Sequence, residues 1–527
     1  MVLASQAQHG MWITERLHGT GTAYHMPFAL WFDGPLDREA MLAACASVVA
    51  RHPVLSCVFE ERDGELHLVP AAAKPPVEFL PSVTDPEGFV EREIARPFDL
   101  ERGPLARFTL ARVPSERHVE QVPTERHVEQ VPPSRHLLLF VGHHLVFDGM
   151  SKDVLVRDLA AAYTGGPLPP LPLPYGGTGE VPAEAAAYWR ERWREVPSVV
   201  VGGVPRTPRV AGHGETVLFD LTREMAAAAF DGVSRFELFL TAVHALLFRY
   251  GNAEVSVAVA LSTRTPETRD HVGLFATELP VFSAPEPDLA FRDFALRMRA
   301  EMRRLNAFRE VPVARAVGGI RPRPALAPAS ISFRRRAADQ VFPGLSVSAE
   351  WKMSNHVVRN ALHFQAVDGD DGLQVTLHHS PEIVPREEAE RVAAHLGAVL
   401  AAVAADPDVR LAALPLPEAA PVTGPVTAPV TGPVTGPSPA AGEASPRPGS
   451  EADDELVGQV RAIWMEVLRL DDIAPDEDLY DLGGHSLTIT QICARIRKRL
   501  GVDVPFDVFL DDPTIAGVAA AVGELRA

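Results

Sequence analysis

The sequence predicts two similarly built α/β lobes, followed after a tether by a small all-α helical bundle. Three observations carry this expectation. Strand-like apolar runs and helix-period stripes mix twice over between residues 1 and 417, and a proline- and glycine-rich crossing at 165–179 divides a first lobe, about 1–175, from a second, about 180–417. Residues 418–450, which spell PVTG, PVTA, PVTG and PVTG at 421–436, have no core-forming pattern and are expected to form an extended or disordered linker. Residues 451–527 carry three helical stripes. At 527 residues the chain exceeds a single hydrophobic core, so two or three domains are expected.

In the first lobe, 4–17 reads as a helix capped by Ser5. A strand is expected at 29–32, then an alanine-rich helix at 37–52 with Met41, Leu42, Cys45, Val48 and Val49 at helical spacing. Strands follow at 55–60, 65–69 and 105–113. Next comes a tandem nine-residue repeat, VPSERHVEQ then VPTERHVEQ, at 113–130. Its polarity and bracketing prolines suit a solvated loop better than a metal site at His118 and His127. The run LLLFV at 137–141 is a strand, and 151–163 an amphipathic helix with Val154, Leu155, Leu159 and Tyr163 on one side. The second lobe offers helices at 235–250, 289–308 and 386–405, with strands at 255–261, 330–335 and 374–379. In the bundle the stripes are Leu456, Val460, Ile463, Trp464 and Val467, then Ile489, Ile492, Cys493, Ile496 and Leu500, and finally 515–525.

Composition removes several classes of function. The 50 basic and 69 acidic residues leave a net charge of −19, and residues 451–527 alone hold 16 acidic against 7 basic side chains. Such a balance argues against nucleic-acid binding and against an anionic membrane surface. No uninterrupted apolar run reaches about 18 residues and no signal peptide opens the chain, so neither membrane spanning nor secretion is expected. The widely spaced Cys45, Cys57 and Cys493 form no CxxC pair and no metal-ligand cluster; they are expected to be reduced thiols in a cytoplasmic protein without a bound metal.

Two stretches carry chemistry. The first is LLLFVGHHLVFDG at 137–149. If the strand stays extended through the histidines, Leu137, Leu139, Val141 and His143 share one face while Leu138, Phe140, Gly142 and His144 share the other, so the two imidazoles serve different ends. Gly142 would leave the His144 face open, Gly149 would permit a tight turn, and Asp148 stands ready to pair with a cation or cap a backbone turn. The second stretch is DLGGHSL at 481–487, where two glycines precede Ser486 at the expected start of a helix. Free amides and the positive end of the helix dipole favour a phosphate on that serine.

The HHLVFDG string resembles the HHxxxDG signature of the condensation domains of nonribosomal peptide synthetases, with His143, His144, Asp148 and Gly149 at its four fixed positions. DLGGHSL on an acidic three-helix unit resembles a peptidyl carrier (thiolation) domain. Further stretches are similar to condensation motifs: ASQAQHGMW at 4–12; RHPVLSCVF at 51–59, which departs at Pro53, Ser56 and Cys57; and VGLFATELPV at 272–281, which departs at Ala276 and Glu278. Only AAAYWRERW at 185–193 suggests the aromatic-rich stretch usual after the first lobe.

The resemblance implies a two-lobed chloramphenicol-acetyltransferase-like fold at 1–417 and a carrier domain at 451–527 that holds 4′-phosphopantetheine covalently on Ser486. It implies amide formation between an acyl or peptidyl thioester on an upstream donor carrier and an aminoacyl amine on the chain's own carrier. His144 is then the general base or positioning group, since an imidazole accepts a proton near neutrality. His143 would be structural, and Asp148 would hold the loop through a salt bridge to Arg264. A phosphopantetheinyl transferase would be one partner, and an adenylation domain, acting in trans or on a segment outside these residues, another.

Three alternatives stand beside amide formation. An ester-forming variant would use an alcohol as acceptor. An epimerisation domain shares the HHxxxDG string, yet normally follows its carrier, whereas here the carrier-like unit comes last, and GHGET at 212–216 lacks that subfamily's leading glutamate. A recruitment scaffold that binds partner enzymes usually loses the paired histidines retained here.

Overall fold

A computed structural model describes residues 1–18, 21–62, 65–114, 135–173, 181–208, 212–311, 313–317, 325–369, 372–416, 451–468, 470, 472–480, 482, 484, 486–506 and 508–526. The 418–450 linker and all but the first two residues of the tandem repeat lie outside them. The chain divides into a large unit built from residues 1–317 and 322–418 and a small one that holds 419–527.

In the first lobe, strand-forming sequence becomes a five-stranded sheet in the order Ser346–Glu350, His25–Asp33, Arg135–His143, Ala106–Val113, Val77–Leu80. Arg135–His143, the histidine strand, is central and antiparallel to both neighbours, pairing Phe140 with Phe28 on one side and with Phe108 on the other. An apolar run buried on both faces suits that place. One face seats Leu137, Leu139 and Val141 among Ala29, Ala111, Val83 and Phe89, under the helix Pro86–Ala95. On the other side of the lobe the helices Arg38–Arg51 and Ser151–Tyr163 pack together, capped respectively by Asp37, which accepts from the Ala40 amide, and by the Asp148 turn.

The second lobe is a six-stranded sheet in the order Glu215–Asp220, Gly372–His379, Leu362–Gly369, Ala329–Arg335, Val255–Ser262, Ala276–Ser283. Ala329–Arg335 runs parallel to both its neighbours and the rest are antiparallel. Its apolar face, including Ile331, Phe364 and Leu377, lies under the helices Arg235–Arg249 and Arg386–Ala405, with Phe239 edge-on to Phe364 at 6.3 Å.

The lobes are not contiguous in sequence. Ser346–Glu350 belongs to the second half of the chain, yet it closes the edge of the first lobe's sheet by pairing with Asp33 to Ala29. The segment after it stays on that lobe, where Asn355 donates to the Ala23 carbonyl at 2.8 Å. Weak local signals explain two of the strands the periodicity did not reveal, since Val77–Leu80 has four residues and Ser346–Glu350 little apolar content; Glu215–Asp220, Ala276–Ser283 and Leu362–Gly369 were also not expected. The strand expected from residue 55 begins instead at Cys57, because Pro53 starts a 3₁₀ turn over Pro53–Ser56.

In the small unit, Leu456, Val460, Ile463 and Trp464 on Glu451–Leu468 are buried with Ile489, Ile492, Cys493 and Ile496 on Ser486–Leu500 and with Ile515, Val518 and Val522 on Ile515–Arg526. The short helix Val508–Asp511 adds Phe509, stacked on Trp464 at 6.3 Å. Among the described residues no helix is long and apolar enough to cross a membrane.

Candidate active site and carrier serine

The histidine strand ends at His143, and His144 opens a 3₁₀ turn over His144–Val146, so the extended backbone stops one residue earlier than the alternation argument assumed. The cause is local. His143 Nδ1 accepts the Leu145 amide at 3.2 Å, and the Phe147 amide returns to the His144 carbonyl at 3.3 Å, which curls the chain. The two imidazoles still part company. His143 is 1% exposed and ringed by Tyr24, His25 and Phe98, with centroids 6.1 to 6.3 Å away. Its Nδ1 is an acceptor, so Nε2 carries the hydrogen, and Glu15 Oε2 lies 3.9 Å from it.

His144 remains partly exposed, with the Tyr24 ring edge-on at 6.5 Å and its own amide bonded to the Tyr24 carbonyl at 2.8 Å. Burial lowers its pKa from 6.5, and Asp148 pushes the other way. Burial also holds His143 well below that value, with the nearby His25 adding to the effect. Both rings are therefore neutral at pH 7. Gly142 does not leave the His144 face open: a Cβ there would lie 2.8 Å from the Phe140 ring and 3.4 Å from Phe147 Cβ, so aromatic side chains fill that space.

Asp148 is 2% exposed and saturated with donors. Oδ1 accepts from the Ser151 amide at 2.8 Å, the Ser151 hydroxyl at 2.7 Å and Arg264 at 2.8 Å, while Oδ2 accepts the Phe275 amide at 3.0 Å. Arg264 lies over the Phe275 ring at 4.4 Å and also donates to the Thr268 and His271 carbonyls. A buried ion pair is tolerable only when its remaining hydrogen-bonding capacity is met in this way. Asp148 and Ser151 thus hold 264–275 of the second lobe against the first, since Ser151 Oγ also meets the Gly273 amide and carbonyl at 3.1 Å each. Gly149 turns the chain without a left-handed backbone. Its carbonyl accepts from Arg334 at 3.1 Å, and Arg334 also reaches Asp153 at 2.6 Å.

Residue-type reasoning missed a second clasp. His52 Nδ1 accepts the Val272 amide at 3.2 Å, which leaves Nε2–H to donate to Asp158 at 2.8 Å, and Arg51 stands 3.3 Å from the same carboxylate. The signal was present in RHPVLSCVF and VGLFATELPV, two separate stretches that fold onto each other, although neither string alone says so.

In the small unit, Ser486 is the first residue of the helix Ser486–Leu500. The turn before it is tight: the Gly484 amide bonds to the Leu479 carbonyl at 2.8 Å, and a Cβ on Gly484 would sit 2.5 Å from the Leu479 side chain. Only glycine admits that approach. A helix start, with the positive end of its dipole, fits a phosphodiester on the serine.

A two-lobed α/β unit with an HHxxxDG turn pinned between its lobes defines an acyltransferase-like class. The model of the condensation domain family matches residues 1–124 and 120–421, two segments that overlap inside the tandem repeat, and that of the phosphopantetheine attachment site matches 458–522. The chain belongs to the condensation domain family, with a carrier domain of the type that holds 4′-phosphopantetheine on a serine after it.

Among its relatives are tyrocidine synthase 3 of Brevibacillus parabrevis, 27% identical over 77% of this chain and 6% of that protein. Phosphinothricin tripeptide synthetase PhsC of Streptomyces viridochromogenes is 27% identical over 78% of this chain and 40% of its own length. The chain thus spans well under half of each relative. Similar solved structures are the first condensation domain of the calcium-dependent antibiotic synthetase with a substrate analogue (TM-score 0.62, 20% identity, 79% of this chain and 99% of that one) and the X-domain from teicoplanin biosynthesis (TM-score 0.62, 21% identity, 78% and 97%). They share the chloramphenicol-acetyltransferase-like two-lobed fold.

Proposed function

We propose that the chain forms an amide bond between an acyl or peptidyl thioester delivered by an upstream carrier and the amine of an aminoacyl group on its own carrier domain. The observation that carries the reading is His144, a neutral and partly exposed imidazole on a turn clamped by the buried Asp148–Arg264 pair. Nδ1 of His144 is buried, so Nε2 is assigned to the substrate. There it accepts a hydrogen bond from the attacking amine, or its proton, as the nitrogen bonds to the thioester carbonyl carbon; the C–S bond then breaks and the departing sulfur takes up the proton. His143 braces the turn, and Asp148, Gly149 and Arg264 hold its geometry. When attached to Ser486, 4′-phosphopantetheine supplies the thiol that carries an acyl or aminoacyl group. An upstream donor carrier, an adenylating enzyme and a phosphopantetheinyl transferase are the partners this reading requires.

The test is His144→Ala in a carrier-based condensation assay, with donor and acceptor loaded chemically. The expected result is a loss of about 10²- to 10⁴-fold in amide formation with the carrier still loadable. An undiminished rate removes His144 from the chemistry.

A further inference from the structure

The second lobe's sheet has one apolar and one polar face, and the polar one fronts the histidine turn. Ser330 pairs in register with His363, and His363 with His378; two residues along, Ser332 pairs with Gln365, and Gln365 with Thr376. These six side chains therefore project from one face. Its direction is set by Arg334, which follows Ser330 and Ser332 on the same face of the same strand and donates to the Gly149 carbonyl. From the other end Arg359, four residues before His363, bonds to the Tyr24 hydroxyl at 3.4 Å, and Tyr24 is the ring beside His144.

The face is unsaturated. His363 shares its nitrogens between Ser330 Oγ at 2.7 Å and Ser332 Oγ at 3.3 Å, and His378 Nε2 meets Gln365 Oε1 at 3.3 Å. With Oε1 as acceptor, His378 Nε2 is the donor, which leaves His378 Nδ1 as an acceptor and the Gln365 amide hydrogens as donors without a partner among the described residues. Thr376 is 1% exposed and its hydroxyl has no partner among the described residues. A buried hydroxyl left unpaired is costly, and its natural complement is a ligand or water. No group of three or more His, Cys, Asp or Glu that would hold a metal is found among the described residues. His363 and His378 each keep some exposure, yet burial drives their pKa values down to about 3 and about 4, so both imidazoles are neutral at pH 7.

We propose that this wall recognises an uncharged hydrogen-bonding group, a carboxamide or a hydroxyl, on the substrate brought to His144. The assignment rests on the condensation reading above and names its substrate class. Binding follows from a donor, the Gln365 amide, and an acceptor, His378 Nδ1, on side chains that keep some exposure and are in place before the substrate arrives. An aliphatic side chain would leave them unpaired; a carboxylate would meet neutral imidazoles, while the arginines at the two ends are already engaged, Arg334 by Asp153 and the Gly149 carbonyl and Arg359 by the Tyr24 hydroxyl.

The experiment is calorimetric titration of the full chain with nonhydrolysable pantetheine amides of glutamine, norleucine and glutamate, each as the free aminoacyl form and as its N-acetyl form. The glutaminyl probe in one of the two forms is expected to bind at least about 10-fold more tightly than the norleucyl probe, and Gln365→Leu to erase that difference. Equal affinities in the wild-type chain, or a preference for norleucyl or glutamyl, overturn the polar-wall assignment while leaving the condensation reading in place. If no pantetheine probe of any kind binds, the condensation reading falls and takes the wall with it. The wild-type comparison decides the matter even if the Gln365→Leu variant does not fold.

Discussion

At the scale of single residues, the proposed function gives His144 the chemistry of the turn and Asp148 its geometry. Because burial lowers the His144 pKa from 6.5, the ring stays neutral to lower pH than a free imidazole. The acid limb of the rate profile for amide formation is therefore expected below 6.5, and a limb at or above that value would show that another group controls the rate. Asp148→Ala strips the partner from a buried Arg264 and orphans the Phe275 amide. It is expected to cost about 3–5 kcal/mol of stability, measured by denaturant unfolding, with activity lost because the turn is no longer held. The four motif positions were legible in the sequence through their spacing. Arg264 was legible too, though the donors that saturate Asp148, from Ser151 and Phe275, were not, since they come from backbone amides whose placement depends on where the second lobe's chain runs.

Among the elements, the histidine strand is the one whose interior tolerates least change. Its apolar run sits between two neighbours, and Gly142 is hemmed in by the Phe140 ring and Phe147. Gly142→Ala is expected to destabilise the large unit by about 1–3 kcal/mol through overpacking, visible as a lower thermal midpoint; an unchanged midpoint would mean the Phe140 ring moves aside freely. Long helices with a clear apolar stripe, such as Arg235–Arg249 and Arg386–Ala405, were readable from periodicity. Short strands such as Val77–Leu80 and Ser346–Glu350 were not, because four or five residues hold too little pattern to outweigh their neighbours.

For the whole molecule, acid is the expected weakness. His25, His52, His143, His144, His244, His363 and His378 all have lowered pKa values, each chiefly through burial. Below about 6.5 the unfolded chain binds protons that the folded one refuses, so stability falls as pH falls from there toward the folded-state values. Thermal midpoints of the large unit should drop steadily between pH 7 and pH 5; a flat profile would contradict the buried neutral rings. The small unit has its own core around Trp464, Ile492 and Val518, and residues 451–527 expressed alone are expected to fold cooperatively, as circular dichroism would report. In that fragment Ser486→Ala should abolish the mass gain on incubation with coenzyme A and a phosphopantetheinyl transferase, and a persisting gain would move the attachment to another residue.

By itself the sequence determined the family, the paired histidines of its motif, the carrier serine and the division into a two-lobed unit and a helical one. Each of those is written in contiguous residues whose spacing has a local physical meaning: alternation along a strand, a stripe along a helix, glycines before a helix start. Only the tertiary structure decided that Ser346–Glu350 closes the other lobe's sheet, that His52 meets Val272, and that six polar side chains from three strands line up before the histidine turn. Strand register and lobe contact join residues far apart in the chain, and their energy depends on neighbours that no local window contains.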